Sequence, residues 1–447
     1  MGDRPFLPGS PGHLLYNLLL VLGVVFLSPA WIPWVLFSRK RRANLPERLG
    51  LRGVPPPAGA GDGPAVWVHA VSVGETAAAA PLITLLRRRL PGARLLLSNV
   101  TLTGRETAVK TLSGVIDLGF YFPFDLPGLC GRFLDRTRPG VVVIVETEIW
   151  PNFLAACADR GIPVVIVNGR LSKRSFAGYM RLRPFFAPIL RTFRAISAQT
   201  AEDADRFLAL GARRDAVTVG GNLKFDVSPP GNAASSLTAM LQREKASGAS
   251  WFVAGSTHEG EEAIVLKAFL AARRTNPSIR LLLAPRHPER FDTVETLLRC
   301  EGVSVTRRTS VPGEGDVPSP GDVLLLDTVG ELSGAYAAAD LAFVGGSLVP
   351  KGGHNVLEPA WHGVPAIVGP HTENFREIAD TFFAGKALLR VNGEEDLTRC
   401  LVRFAADPGI YRDTGRRAKK MLESGQGASA AGAELVEAVL SGRTASR

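Results

Sequence analysis

From Ala65 onward the chain alternates short, almost uncharged, β-branched runs with helix-like stretches, and it does so twice. AVWVHAV, LLLSNV, VVVIVE, PVVIVN, AISAQT and VTVGGN each precede a loop or a helical segment; SWFVAG, IRLLLAP, VSVTRR, DVLLLD, LAFVGG and PAIVG then repeat the pattern. Runs this apolar, without polar alternation, suit strands buried on both faces, and strand–helix–strand succession builds a parallel sheet. Between the two blocks, after residues 222–226, lies DVSPPGNAASS, rich in Pro, Gly and Ser and without periodicity, which reads as a linker. The expected class is therefore α/β, with two facing Rossmann-like domains. Their expected limits are an N-terminal segment over 1–43, a first domain over 44–226, a linker over 227–238 and a second domain over 239–447. A tail helix near 428–440 is amphipathic and can pack back across the linker. Ligands of such sheets bind outside the carboxyl ends of the strands, so chemistry-bearing residues should cluster just after strands.

At 447 residues with 46% hydrophobic content the chain can bury two cores, which excludes global disorder. The formal charge of +10 suits nucleic acid, an anionic membrane surface or a phosphorylated substrate. No aromatic RNP box or zinc-finger spacing occurs, so no nucleic-acid partner is expected. Cys130, Cys157, Cys300 and Cys400 are far apart, with no C-x-x-C, and point to a reducing compartment.

Residues 13–37, HLLYNLLLVLGVVFLSPAWIPWVLF, contain no Asp, Glu, Lys or Arg and are followed by SRKRR. Such a run is long enough to span a hydrocarbon core of about 30 Å. A cleaved signal peptide carries its charges before the apolar region, whereas here they follow it; the expectation is a retained membrane anchor whose basic flank, Arg39 to Arg42, stays cytoplasmic. Trp31 and Trp34 suit the interface. Pro29 and Pro33 weaken a straight span and leave a monotopic hairpin or a surface helix as alternatives.

Several post-strand segments carry candidate chemistry. In VWVHAVSVGE, Glu75 follows the Ser72–Gly74 turn and opens a helix, where a carboxylate either complements the helix dipole or serves as a general base. Ser98 to Glu106 (SNVTLTGRE) offers hydroxyls and an arginine at a helix start, the pattern of an anion site or of an ordinary cap. Glu146 and Glu148 end an apolar strand in VVVIVETEIWPN, where paired acids can hold a sugar hydroxyl or poise a proton, or form a salt bridge. Arg170 lies in the basic, hydroxyl-rich loop NGRLSKRS, suited to an anionic acceptor. Asp203 and Asp205 spell D-x-D, but inside AEDADRFLALG they read as a solvated helix face, and no metal site is expected.

In the second block, GSTHEGEE offers Ser256 or Thr257 as a helix cap. Arg286 in APRHPER suits bidentate binding of phosphate or carboxylate, with His287 as a local partner. The block 344–359, VGGSLVPKGGHNVLEP, has Gly-Gly pairs that let backbone approach a ligand. Asn355 and Glu358, three apart on one helical face, can hold vicinal ribose hydroxyls. No G-x-G-x-x-G fingerprint or Walker A sequence is present.

Taken in order, HAVSVGE, ETEIWPN, NGRLSKRS, GNLKFD, GSTHEGEE, APRHPERF, DTVGEL and FVGGSLVPKGGHNVLEPAWHG resemble the 3-deoxy-D-manno-octulosonic acid (Kdo) transferases of lipopolysaccharide synthesis, and they cover most of the chain. The resemblance implies a GT-B fold, a CMP-Kdo donor, a lipid A precursor as acceptor, no cofactor, and metal-independent inversion at the anomeric carbon. It places the base on Glu75, the CMP phosphate on Arg286 with Lys351 nearby, and the nucleotide along Gly330, Glu331, Gly345 and Gly346. It places the ribose on Asn355 and Glu358, and the acceptor side at Ser72, Glu146, Glu148 and Arg170. It also implies inner-membrane lipids as partners and catalytic domains on the cytoplasmic side of the cell inner membrane. The chain departs from the family pattern at Val71 and at Ser98–Asn99, where threonines are usual. A nucleotide-sugar epimerase, a UDP-sugar transferase and a membrane-tethered binding protein are the rival readings.

Overall fold

The computed structural model describes residues 6–37, 44–51, 63–228, 236–311 and 323–442. The chain divides into one unit made of 1–227 with 425–447 and a second made of 228–424. Each is an α/β domain built on a seven-stranded parallel sheet.

In the first unit the strands are β1 (Ala65–His69), β2 (Arg94–Asn99), β3 (Leu118–Tyr121), β4 (Pro139–Val145), β5 (Val164–Gly169), β6 (Ala195–Ala198) and β7 (Val217–Val219), in the order β3-β2-β1-β4-β5-β6-β7. Strand alternation sends Ala65 and Trp67 into one apolar cluster with Phe120 and Phe153, and Val66 and Val68 into another with Leu82 and Val436. Both faces are therefore covered, which is why these strands carry no polar alternation.

The helix Ala428–Leu440 supplies Ala433, Leu435 and Val436 to the second of those clusters. Asp226 fixes its start by accepting the N–H of Gly427 at 2.8 Å and of Ser429 at 2.5 Å. The tail thus belongs to the first unit and not, as the expected limit of 239–447 has it, to the second; its apolar face is buried against Leu82 and Val167.

In the second unit β8 (Ser250–Thr257), β9 (Ile279–Pro285), β10 (Val305–Arg307), β11 (Val323–Leu325), β12 (Leu341–Val344), β13 (Ala366–Val368) and β14 (Leu389–Arg390) run in the order β10-β11-β9-β8-β12-β13-β14.

Each sheet has a switch point where the chain, having built outward on one side, returns to the other. In the first it lies between the paired strands β1 and β4, in the second between β8 and β12. Loops diverge there and leave a crevice at the carboxyl ends.

The apolar N-terminal segment forms two helices, Pro11–Phe26 and Ser28–Leu36, with Pro33 inside the second. Among the described residues no helix is long and apolar enough to cross a membrane. Arg39 to Arg42 and most of the expected linker lie outside the described residues.

Candidate active site

The β1/β4 switch point gathers three carboxylates. Ser72 caps the helix Val73–Arg89, its Oγ accepting the Glu75 N–H at 3.4 Å. Glu75 is the third residue of that helix and its side chain turns back, Oε2 accepting the Val71 N–H at 2.8 Å and Oε1 the Ser72 hydroxyl at 3.0 Å. The result is a variant of the capping box that fixes the carboxylate in one position.

Burial raises the Glu75 pKa, with Glu146 adding to the rise, while the Val71 N–H, the Ser72 hydroxyl and Lys224 oppose it. Glu146 follows β4 in the left-handed region, φ +64°, its N–H donated to Val167 O at 2.9 Å. A non-glycine residue held there costs energy, and such strain gathers at functional sites. Glu148 is pushed up to about 7 by burial and then by the charges of Glu75 and Glu146. Burial and neighbouring negative charge thus make Glu75 and Glu148 hold a proton more tightly than a free carboxylate does.

Thr147, between the two acids, accepts the Arg170 N–H at 3.0 Å and donates to its carbonyl at 2.6 Å. That exchange ties the loop after β5 to the loop after β4, so Arg170 joins the same crevice. Tyr179, in the helix Lys173–Arg181, also feels the Glu148 charge.

Ser98 and Asn99 lie beneath this layer, fully buried, and act as struts. Ser98 Oγ accepts from Trp67 Nε1 at 2.7 Å, and Asn99 Nδ2 donates to Ala70 O at 2.7 Å and to Thr76 Oγ1 at 2.9 Å. Thr101, not these residues, caps the helix Leu102–Leu112. His69, buried and stacked on Phe122 at 4.0 Å, is held neutral because burial pushes its pKa down to about 3.

The D-x-D pair requires correction. Asp205 is exposed, but Asp203 is buried. It is the third residue of a helix capped by Thr200, and its Oδ1 accepts the Leu171 N–H at 2.9 Å while Oδ2 takes the Thr200 hydroxyl at 2.7 Å. It holds the Arg170 loop in place. Among the described residues no group of three or more His, Cys, Asp or Glu is placed to hold a metal ion.

The second unit has its own cluster at the β8/β12 switch point. Glu261, fully buried, accepts the backbone N–H groups of Gly346 at 2.7 Å, Ser347 at 3.0 Å, Leu348 at 2.9 Å and His258 at 2.9 Å. Four such bonds oppose the upward pull of burial on its pKa. The Gly345–Gly346 loop is thus wrapped around an internal carboxylate, and the N–H groups of Gly346 through Leu348 point to it and not toward a ligand. A Cβ on Gly345 would lie 2.3 Å from Ser256 O, so only glycine lets the loop after β12 touch the end of β8. Neither Ser256 nor Thr257 caps the following helix: β8 runs through Thr257, and the helix Glu261–Thr275 starts after Gly260.

Asn355 Oδ1 caps Leu357 N at 3.1 Å and its Nδ2 donates to Glu358 Oε1 at 3.3 Å. Burial raises the Glu358 pKa; Asn355 and the nearby charge of Arg286 oppose the rise. Arg286, exposed after β9, donates its N–H to Thr257 O at 2.9 Å, and its guanidinium has no ion-pair partner among the described residues. Lys351 is exposed on the loop that Asn374 braces through Lys351 O. His258 and His354 stack and share a 2.8 Å Nε2–Nε2 contact below Gly346; burial and neighbouring cations lower the pKa of both, that of His354 to about 4. His287 packs edge-on against His258. Gly330 takes φ +95°, and the Glu331 carboxylate is engaged by Arg308 at 3.0 Å and Thr328 at 2.5 Å, so any nucleotide contact there falls to backbone.

The candidates thus fall into two groups: Ser72, Glu75, Glu146, Glu148 and Arg170 in the first unit, and Arg286, Lys351, Asn355 and Glu358 around the Gly345–Gly346 loop in the second. The sequence carries no hint of the buried role of Glu261 or of the contact between His258 and His354, and it makes Asp203 look solvated. For Asp203 a signal existed, since it stands at the third position of a post-strand helix in a capping-box register behind Thr200; Glu261 is the first residue of its helix and reaches back three residues to the His258 N–H.

The fold is shared with HepE of Anabaena solved with UDP (TM-score 0.53, 14% identity, 85% of this chain and all of that one). It is shared also with a UDP-N-acetylglucosamine 2-epimerase from Neisseria meningitidis (TM-score 0.51, 15% identity, 80% and 98%). These likenesses place the architecture in the GT-B class of paired parallel-sheet domains. Within that class sequence is decisive: residues 43–227 match the family model described as 3-deoxy-D-manno-octulosonic-acid transferase (kdotransferase). The chain is 38% identical to the 3-deoxy-D-manno-octulosonic acid transferase of Bordetella pertussis over 422 residues, 90% of this chain and 94% of that protein. It is 36% identical to that of Haemophilus influenzae over 364 residues, 80% and 82%. The chain belongs to the Kdo transferase family, glycosyltransferases of lipopolysaccharide synthesis.

Proposed function

We propose that the chain transfers Kdo from CMP-Kdo to a lipid A precursor, with inversion, without a metal or other cofactor, and with Glu75 as general base. The observation that carries this is the fixing of Glu75 at the β1/β4 switch point by the Val71 N–H and the Ser72 hydroxyl, where burial, and after it the charge of Glu146, raises its proton affinity. A base must be within hydrogen-bond reach of the proton it takes and of suitable basicity, and burial supplies the second condition.

In the step itself the acceptor hydroxyl gives its proton to Glu75 while its oxygen bonds to the anomeric carbon of Kdo. The carbon–oxygen bond to the phosphate breaks on the opposite face, and its electron pair leaves with CMP. Positive charge gathers on the sugar and negative charge on the phosphate, so cationic donors on the leaving side lower the barrier. Arg286, with Lys351, fills that role; Asn355 and Glu358 hold the ribose; the backbone of Gly330, Glu331, Gly345 and Gly346 lines the nucleotide. Ser72, Glu146, Glu148 and Arg170 form the acceptor side.

The apolar segment 13–37 and the net charge of +10 suit anchorage at the cytoplasmic face of the inner membrane, where the acceptor's phosphates and acyl chains lie. Purified protein incubated with CMP-Kdo and tetraacyl lipid A precursor should yield a lipid heavier by one or more Kdo residues by mass spectrometry. An unaltered acceptor alongside intact, folded protein would overturn the proposal. Thermal stabilisation by UDP in place of CMP would favour a UDP-sugar donor.

A further inference from the structure

Both flanks of the apolar segment are held by the same folded unit, and at adjacent residues. On the leading side Phe6 is buried and packs edge-on against Phe185 at 5.9 Å. Asn17 Oδ1 accepts from Asn152 Nδ2 at 2.8 Å, and the Tyr16 hydroxyl donates to Asp125 Oδ2 at 2.9 Å. Asp125 is itself buried and fixed by the N–H groups of Asn152 and Phe153. On the trailing side Arg48 lies 4.0 Å over the ring of Phe124, donates from Nε to Phe122 O at 2.9 Å, and accepts the Phe124 N–H at 3.2 Å. Glu47 Oε1 accepts the Tyr121 N–H at 2.8 Å.

Phe124 and Asp125 are consecutive, about 3.8 Å apart along the chain. A single span would have to separate the two flanks by a hydrocarbon core of about 30 Å. The intervening chain is instead broken at Leu27 into two arms, residues 18–26 and the helix Ser28–Leu36, each nine residues long and so about 14 Å. The first arm exposes Leu19, Val25 and Phe26, and Phe37 beyond the second is 90% exposed, with no charged side chain between them to meet water.

We infer that residues 18–37 are a monotopic insert that enters and leaves the bilayer through one leaflet, so that the amino terminus lies on the same side as the unit carrying Glu75. The inference rests on the membrane anchorage proposed above and chooses between its forms. Docking through Tyr16, Asn17 and Arg48 fixes the first unit's orientation to the lipid surface, which a flexible tether would not do.

The test uses the full-length, active protein with an epitope tag ahead of Met1, in the inner membrane of a Gram-negative host. Protease is added to spheroplasts and, separately, to inverted membrane vesicles. The tag should be removed in inverted vesicles and retained in intact spheroplasts. Removal in spheroplasts only would place the amino terminus across the membrane and overturn the insert while leaving anchorage standing. Recovery of the protein wholly in the soluble fraction after lysis would overturn both.

Discussion

Ser72 and Glu75 hold each other from both ends: the serine Oγ accepts the Glu75 N–H at 3.4 Å and returns its own proton to Glu75 Oε1 at 3.0 Å. A single hydroxyl therefore starts the helix and fixes the carboxylate. Ser72→Ala should lose about 1 kcal/mol of stability as a lost cap. It should also remove a donor that favours the charged carboxylate, moving the acid limb of the pH–rate profile toward higher pH. Thermal melts and the pH dependence of kcat/KM read the two effects separately.

Glu148 carries a testable sign. Its folded-state pKa, about 7, lies above the ordinary carboxylate value of 4.5, so the folded state binds the proton more tightly than the unfolded chain does. Stability is thus highest below pH 4.5 for this group and is lost as pH rises toward 7. Glu148→Gln should leave the Tm nearly unchanged at pH 4.5 and raise it at pH 8. The gain should be about 1 kcal/mol once solvent screening is discounted, or ~2–4 °C for a unit of this size. An equal Tm change at both pH values would contradict the assigned burial.

Glu261 supports the second unit's glycine loop with one buried carboxylate and four backbone donors. Glu261→Ala leaves those donors without an acceptor and should cost about 3–5 kcal/mol, seen as an early-melting transition. Glu261→Gln keeps one carbonyl acceptor and should fall between. CMP affinity, measured by calorimetry on whichever variant remains folded, should drop with loop order.

Glu358→Ala should weaken CMP binding by about 10- to 100-fold, the range of one or two lost hydrogen bonds to a charged group. Unaltered affinity would remove Glu358 from the ribose.

Much of the fold was legible because parallel strands buried on both faces must be continuously apolar, and β1, β2, β4 and β5, like β8, β9 and β12, announce themselves so. β3 (LGFY) and β14, of two residues, are too short for that signal. The tail's return to the first unit is a tertiary choice that an amphipathic pattern permits but does not specify. At the sites, the position of candidates after strands was readable. The inward turn of Asp203 and Glu261 was not, because acids in a first helical turn are ordinarily solvated complements of the dipole. The left-handed backbone of Glu146, Asn168 and Ser256 has no glycine to mark it.

The most direct measurement is the single-turnover rate of Glu75→Gln with CMP-Kdo and lipid A precursor, taken beside its CMP affinity. Loss of a general base should lower the rate by about 10²- to 10⁴-fold while CMP binds nearly as before. A variant that still transfers Kdo at close to the parent rate would show that the proton leaves by another route and that the β1/β4 carboxylate is not the base.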